Sequence, residues 1–439
     1  MPVPARPRRH RTGPALVATV LALSALALAP AAHAAPAVSS PNCGAVEYGG
    51  AGSPSGVIVS DLPMVGGSAE RSVQMVAAIR IALANAGWKA GNTAVGFQVC
   101  NDALQSTGAW DAATCTANAN AYARTPGVLG VVGTYNSGCA ALIIPILNQA
   151  GIAMVSPGNT AVCLTQSVPG CTGGQPASLY PDGARNYARV VPNDAYQGAG
   201  LAEFARAHHI RRPAILYAGD DPTSLGQARA FRGAAKALHA KVVAFRAWDQ
   251  KAKGYRTLMR RIARKRPDAV LLAGLIEENG ARIVKDKVAV LGRNTGHVAL
   301  LAPDGFAQQS TIDRAGKASA GMFVSLPGRD PGRLTGAGKT LVQQLAEQVS
   351  PNPIELFAPY AAQATDVLLA AIAKGTTAQG TTSALLGVQV QGGILGSFGF
   401  TASGDPTVAP ISVYRAARTL RFAAEERPST RLVDAARKG

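Results

Sequence analysis

The chain reads as an α/β protein of two similar lobes, each a parallel sheet with helices on both faces. Three observations lead there. Short β-rich apolar runs alternate with helical patterns, which is the signature of βαβ units and parallel strands. The alternation comes in two successive series of about four units, broken by a Pro- and Gly-bearing stretch from Tyr180 to Tyr196. And 439 residues are too many for one compact core.

The first residues read as an export leader. Arg6, Arg8, Arg9 and Arg11 precede an apolar run from Ala15 to Ala29, and Ala32-His33-Ala34 offers small residues for cleavage after Ala34. The run is shorter than the ~20 residues a membrane helix needs. A leader over residues 1–34 implies a secreted, extracytoplasmic product, in the cell envelope or periplasm. Residues 35–54, rich in Ala, Ser, Pro and Gly, are expected to be a flexible lead-in.

Ordered elements then follow. Gly56 to Ser60 is the first strand, and the helix after it carries Val73, Val76, Ile79 and Leu83 at helical spacing until Gly87. Val95–Cys100, Val128–Val132 and Ile152–Val155 are the next strands. The second series has strands at Ala214–Tyr217, Val242–Phe245, Ala269–Leu272 and Val298–Leu301, with helices at Leu225–Leu238 and Tyr255–Lys265 between them. Met322–Leu326 is one more strand, a helix runs from Tyr360 to Ala373, and the Gly-rich run Gly387–Phe400 is expected to cross between lobes. Lobe 1 is thus expected over 55–185 and 325–386, and lobe 2 over 190–320 and 390–415. A basic, polar tail over 416–439 is expected to be disordered.

Six cysteines follow the leader, and an even count in an oxidising compartment implies disulfides. Cys163–Cys171 would close a short loop, Cys100–Cys115 would tie a strand end to the next helix, and Cys43–Cys139 remains. Together these three pairs are one of the 15 connectivities that six cysteines allow.

Open parallel sheets bind ligands beyond the carboxyl ends of their strands. Two loops there combine glycine, hydroxyl and amide groups: Gly133-Thr134-Tyr135-Asn136-Ser137-Gly138 and Ser156-Pro157-Gly158-Asn159-Thr160. At helix starts, backbone N–H groups and a partial positive charge suit a carboxylate, with Ser137 and Thr160 adding hydroxyl donors. Ordinary helix capping would use the same residues. In the second series, Asp220-Asp221 and Glu277-Glu278 follow strands and would suit an ammonium group, although from spacing alone a solvated acidic turn, or a helix N-terminus seeking negative charge, is the stronger reading.

Catalytic and metal-binding signatures are missing. No G-x-S-x-G or H-E-x-x-H occurs, and Gly336-Ala337-Gly338-Lys339-Thr340 has Arg333 where a phosphate-binding loop needs its first glycine. His208, His209, His239 and His297 have no metal-ligand spacing. No catalytic residue, metal or cofactor is therefore expected. The net charge of +18 lies along helix faces and in the tail without interleaved aromatic residues, so no nucleic-acid partner is expected.

These stretches, in this order, resemble the type I periplasmic binding proteins of the branched-chain amino-acid type that serve ABC importers. The match runs from Gly56 to Tyr414. It rests on Asp61-Leu62-Pro63 with Gln74 to Arg80, Val131 to Gly138, Pro145 to Gly151, Val155 to Thr160, Asn193 to Gly198, and Gly404-Asp405. The resemblance implies two Rossmann-like lobes joined by three crossovers and closing on a ligand. It implies that Ser137, Gly158 and Thr160 hold an α-carboxylate and amine, and that Glu278 reaches the amine from the second lobe. Leu225 stands where an aromatic residue often closes over the ligand. The full candidate set is Ser137, Gly158, Thr160, Asn136, Asn159 and Leu62 from the first lobe, with Glu278, Asp220 and Asp304 from the second. The expected function is capture of an amino acid or a related small ligand by a monomer and its delivery to a membrane permease. A ligand-sensing receptor component and a secreted enzyme on the same fold are the alternatives.

Overall fold

The computed structural model describes residues 1–5 and 36–439. The leader reading falls almost wholly outside the described residues.

In chain order the elements are β1 (Cys43–Glu47), β2 (Gly56–Leu62), α1 (Ala69–Asn85), β3 (Lys89–Ala90), β4 (Thr93–Asn101), α2 (Ala112–Arg124), β5 (Val128–Gly133), α3 (Ser137–Gln149), β6 (Ala153–Ser156) and β7 (Tyr187–Arg189). Then come α4 (Asp194–Ala207), β8 (Pro213–Ala218), α5 (Pro222–Ala237), β9 (Ala244–Trp248), α6 (Arg256–Ala263), β10 (Ala269–Ala273), α7 (Ala281–Leu291), β11 (Ala299–Ala302), α8 (Gln309–Ala315) and β12 (Phe323–Pro327). The chain ends with α9 (Ala337–Val349), α10 (Ala358–Gly375), α11 (Ala378–Leu385), β13 (Val390–Gly393), β14 (Gly396–Phe398), β15 (Ile411–Ala416), β16 (Leu420–Glu426) and α12 (Thr430–Arg437).

The first sheet runs β1-β4-β2-β5-β6-β7, with β3 also on β4, and is parallel from β4 to β7. Successive side chains of a strand point to opposite faces. Accordingly Ile58 joins the core beneath α1 and α10, while Val57 and Val59 join the one beneath α2 and α3. Both faces are covered, which is why these strands read as unbroken apolar runs. The second sheet runs β16-β15-β12-β11-β10-β8-β9, parallel from β12 to β9. Ile215, Leu271 and Leu301 face α4 and α5, and Leu216, Leu272 and Leu300 face α6 and α7. In α1 the buried stripe is Met75, Val76, Ile79 and Leu83, whereas Val73 faces solvent.

Three segments link the sheets: 190–193, 328–336 and 399–410. The last is pinned by a buried ion pair, Arg189 Nε to Asp405 Oδ1 at 2.7 Å. Arg189 also donates to the carbonyls of Asn159 and Ala161 and to the Thr165 hydroxyl. Burial alone would raise the Asp405 carboxyl pKa, but the Arg189 charge and bonds from Gln166 and Thr165 bring it below the usual value.

Several expectations are corrected. The lead-in is anchored: the Val38 backbone is held by the Gln98 side chain, and β1 pairs antiparallel with β4. Residues 325–327 belong to β12 in the second sheet, not to the first lobe. The Gly-rich run forms its own hairpin, β13–β14, and β15 and β16 extend the second sheet instead. The tail is ordered, because β16 pairs with β15 and α12 buries Leu432, Val433 and Ala436 against α4 and α5.

The disulfides are Cys43–Cys100, Cys115–Cys139 and Cys163–Cys171. The first two replace the expected Cys100–Cys115 and Cys43–Cys139. Cys43 lies directly opposite Cys100 in the β1–β4 register, and α2 packs beside α3 so that their first turns bring Cys115 to Cys139. Nearness along the chain was the wrong guide; pairing followed the sheet edge and the helix pair.

Candidate functional site

Between the carboxyl ends of the two sheets lies a cleft with two compartments. The inner recess, about 20 Å³, is bounded by Tyr135, Asn136, Ser137, Gly138, Gly158 and Thr160 from the first sheet's loops, and by Asp221, Ser224, Gln227, Leu275 and Asp304 from the second's. The outer chamber, about 520 Å³, shares Trp110, Ser137, Gly138, Asp221, Thr223 and Leu275 with it.

The first wall is built around α3. Its first-turn amides at Ser137 and Gly138 have no acceptor within the helix and face the recess. The Ser137 hydroxyl oxygen accepts from the Thr160 and Ala161 amides, both at 3.1 Å. An oxygen already receiving two N–H bonds keeps its own proton to donate. Gly138 lets the Trp110 ring lie on the helix start, where a side chain would collide with it. Gly158 does the same for Tyr135: a Cβ there would sit 2.6 Å from the ring. On another side Tyr135 carries the Arg71 guanidinium 3.6 Å from its ring centroid. Arg71 is buried, and its Nε and Nη1 have no partner among the described residues.

The second loop differs from expectation. Residues 158–161 do not open a helix beyond a single 3-10 turn at Val162–Leu164. Their amides are taken, those of Gly158 and Asn159 by the Ser156 hydroxyl and those of Thr160 and Ala161 by Ser137. The amide cradle is therefore confined to the start of α3.

The opposite wall is acidic. Glu278 Oε2 accepts from the Leu275 amide at 2.7 Å and from Ser224 at 3.3 Å, and Oε1 faces Gln250 at 3.4 Å. Burial, with the Asp221 charge beside it, pushes the Glu278 pKa up to about 8. Asp221 caps α5, accepting from the Thr223 and Ser224 amides and the Ser224 hydroxyl. Asp304 accepts from Gln227 at 2.9 Å, and burial lifts its pKa to about 6. Asp194, at the start of α4, is lifted to about 8 by burial and by the Asp304 charge. Ser68 reaches across from the first lobe to donate to Glu277 at 2.8 Å.

Of the expected residues, the recess collects Ser137, Gly158, Thr160, Asn136 and Asp304, and the chamber collects Glu278 and Asp220. Leu62 and Asn159 line neither. Leu62 is packed in the core, and Asn159 joins the Tyr135 carbonyl to the Tyr187 hydroxyl. Leu225 likewise lines neither, and Ser224 lines the recess from that turn of α5. Trp110, Ser224, Gln227 and Leu275 were missed, and Asp221, read with Asp220 as suited to an ammonium group, is used to cap α5. A tryptophan in a loop before a helix was the one visible signal; Ser224 and Gln227 needed the α5 face to be known, and Leu275 the turn after β10.

The nearest cluster with metal-ligand geometry among the described residues is Asp102, Cys115 and Cys139, and both cysteines are spent in a disulfide.

A family model described as "Periplasmic binding protein" matches residues 60–419. No curated protein sequence matches the chain. Among solved structures, the chain is similar to a leucine-binding protein, LivK, from Thermotoga maritima, with TM-score 0.73, 21% identity, and 85% of this chain and 99% of that one covered. It is similar to LivJ, a branched-chain amino-acid transporter substrate-binding protein from Streptococcus pneumoniae in complex with isoleucine, at TM-score 0.70, 15% identity, and coverage of 85% and 99%. It is also similar to an ABC transporter solute-binding protein from R. palustris in complex with benzoate, at TM-score 0.69, 16% identity, and coverage of 85% and 96%. At these identities the likeness concerns the fold.

Proposed function

The chain belongs to the periplasmic binding protein family, and from that premise we propose that it is an extracytoplasmic solute-binding protein whose lobes close on a small ligand carrying a carboxylate and an amine. One observation carries the reading: the start of α3 at Ser137 and Gly138 lines both compartments of a cleft at the carboxyl ends of both sheets, with Thr160 in the recess and the half-buried carboxyl of Glu278 in the chamber. A carboxylate at α3 is stabilised by unpaired amides and the helix dipole. An ammonium beside Glu278 would ionise that carboxyl and form a charge-assisted bond.

Ligand contacts to both lobes favour the closed form, as the Ser68–Glu277 bond already does. Delivery to an ABC permease follows from the family and from the relatives' descriptions as transporter components. The test is calorimetric titration with amino acids. Binding lost in Ser137→Ala/Thr160→Ala, with the near-UV circular dichroism unchanged, supports the site. Undiminished affinity in that variant removes it.

A further inference from the structure

We propose that the ligand is a zwitterion with an apolar body bulkier than a leucine side chain, such as an apolar dipeptide or an aryl-bearing amino acid, with that body lodged in the outer chamber. This rests on the cleft reading above. The recess of about 20 Å³ has space for one or two waters, so it admits a terminal polar group and not a whole amino acid. The rest of any ligand anchored at α3 must lie in the chamber. At about 520 Å³ the chamber falls within the ~300–1,000 Å³ of pockets that enclose drug-sized molecules.

Its two walls differ in kind. Trp110, Leu142, Val162, Leu164 and Val168 make the first-lobe side apolar. On the other side stand Asp194, Asp220, Asp221, Glu277 and Glu278 together with Arg229; Asp221 is used in capping α5 and Glu277 in holding Ser68, and Asp194 sits at the start of α4. Glu278 and Asp220 remain to receive a cation at one corner. An apolar surface beside a cation-accepting corner selects an amphiphile. The compartment also exists because of two pieces added to the paired sheets: the loop closed by Cys163–Cys171 and the end of α12, which supplies Ala436 and Arg437.

The test titrates the protein with L-leucine, L-tryptophan, L-leucyl-L-phenylalanine and benzoate. Tryptophan or the dipeptide is expected to bind about tenfold or more tighter than leucine, roughly the worth of two further buried methylenes. Leucine binding as tightly as both overturns this inference and leaves the cleft reading standing. Benzoate alone binding overturns the zwitterion. No binding by any of the four removes the cleft reading, and this inference with it. Ala141→Trp fills the chamber from α3 and is expected to bring the ratio of affinities near one; a folded variant that keeps the wild-type preference overturns the proposal.

Discussion

At the residue scale, Arg189 shows how a buried charge is made tolerable. Its guanidinium meets Asp405, two carbonyls and the Thr165 hydroxyl, so few of its donors are left without a partner. Removing it strands the Asp405 carboxylate. Arg189→Met is therefore expected to cost about 3–5 kcal/mol, read as a lowered urea midpoint; an unshifted midpoint would mean the pair is not a structural tie. Glu278 makes the opposite case. With its pKa near 8 it stays protonated at pH 7 in the empty cleft. A ligand ammonium would expel that proton, so affinity is expected to rise with pH through about 8, and Glu278→Gln to flatten that rise in titrations at pH 6 and 9. At this scale the sequence was most informative where backbone dictates chemistry. Ser137, Gly158 and Thr160 line the recess because they follow strands of a parallel sheet. Asn159 sits in the same loop, yet its side chain turns inward to join Tyr135 to Tyr187, and nothing in its spacing distinguishes the two orientations.

Elements were legible where one period dominated. The nine apolar runs read as strands all form strands, within three residues of their expected limits, and except at the edge strand β9 this is because burial on both faces demands uninterrupted apolar sequence. The misreadings lie where polarity and small residues suggest disorder: β1 is an edge strand, and α12 has a narrow apolar stripe on a basic helix. That stripe is structural. Leu432→Ala should destabilise the protein by about 2–4 kcal/mol, since the side chain packs against α4 and α5; an effect below about 0.5 kcal/mol in denaturant melts would mean α12 is loosely held. Opening Cys163–Cys171 with paired serines should cost about 2–3 kcal/mol for a loop of this length, and an unaltered midpoint would show that the neighbouring packing suffices.

At the scale of the whole molecule, the alternation of strand and helix disclosed two lobes, but the boundaries depended on which sheet each late strand joined. That choice is made by contacts far apart in sequence, such as β12 with β15. A second global property follows from burial. Asp61, Asp194, Glu278, Asp304, Glu355 and Asp366 all have pKa values raised to between about 6 and 8, in each case first by desolvation. Unfolded, these groups release protons near pH 4; folded, they keep them to pH 6–8. The folded state therefore binds more protons in between, and stability falls as pH rises through that window. Calorimetry is expected to give a higher melting temperature at pH 5 than at pH 8 for the ligand-free protein, and the reverse order would contradict the buried-acid account.

The placement of α12 has a practical corollary. Gly439 borders the outer chamber and its neighbour Lys438 is exposed, so a dye attached to Lys438 would sit beside the chamber and brighten or dim as it fills. A bulky affinity handle in the same place would act as a plug. Biosensor versions of this protein should carry their reporter beside α12 and their purification handle elsewhere.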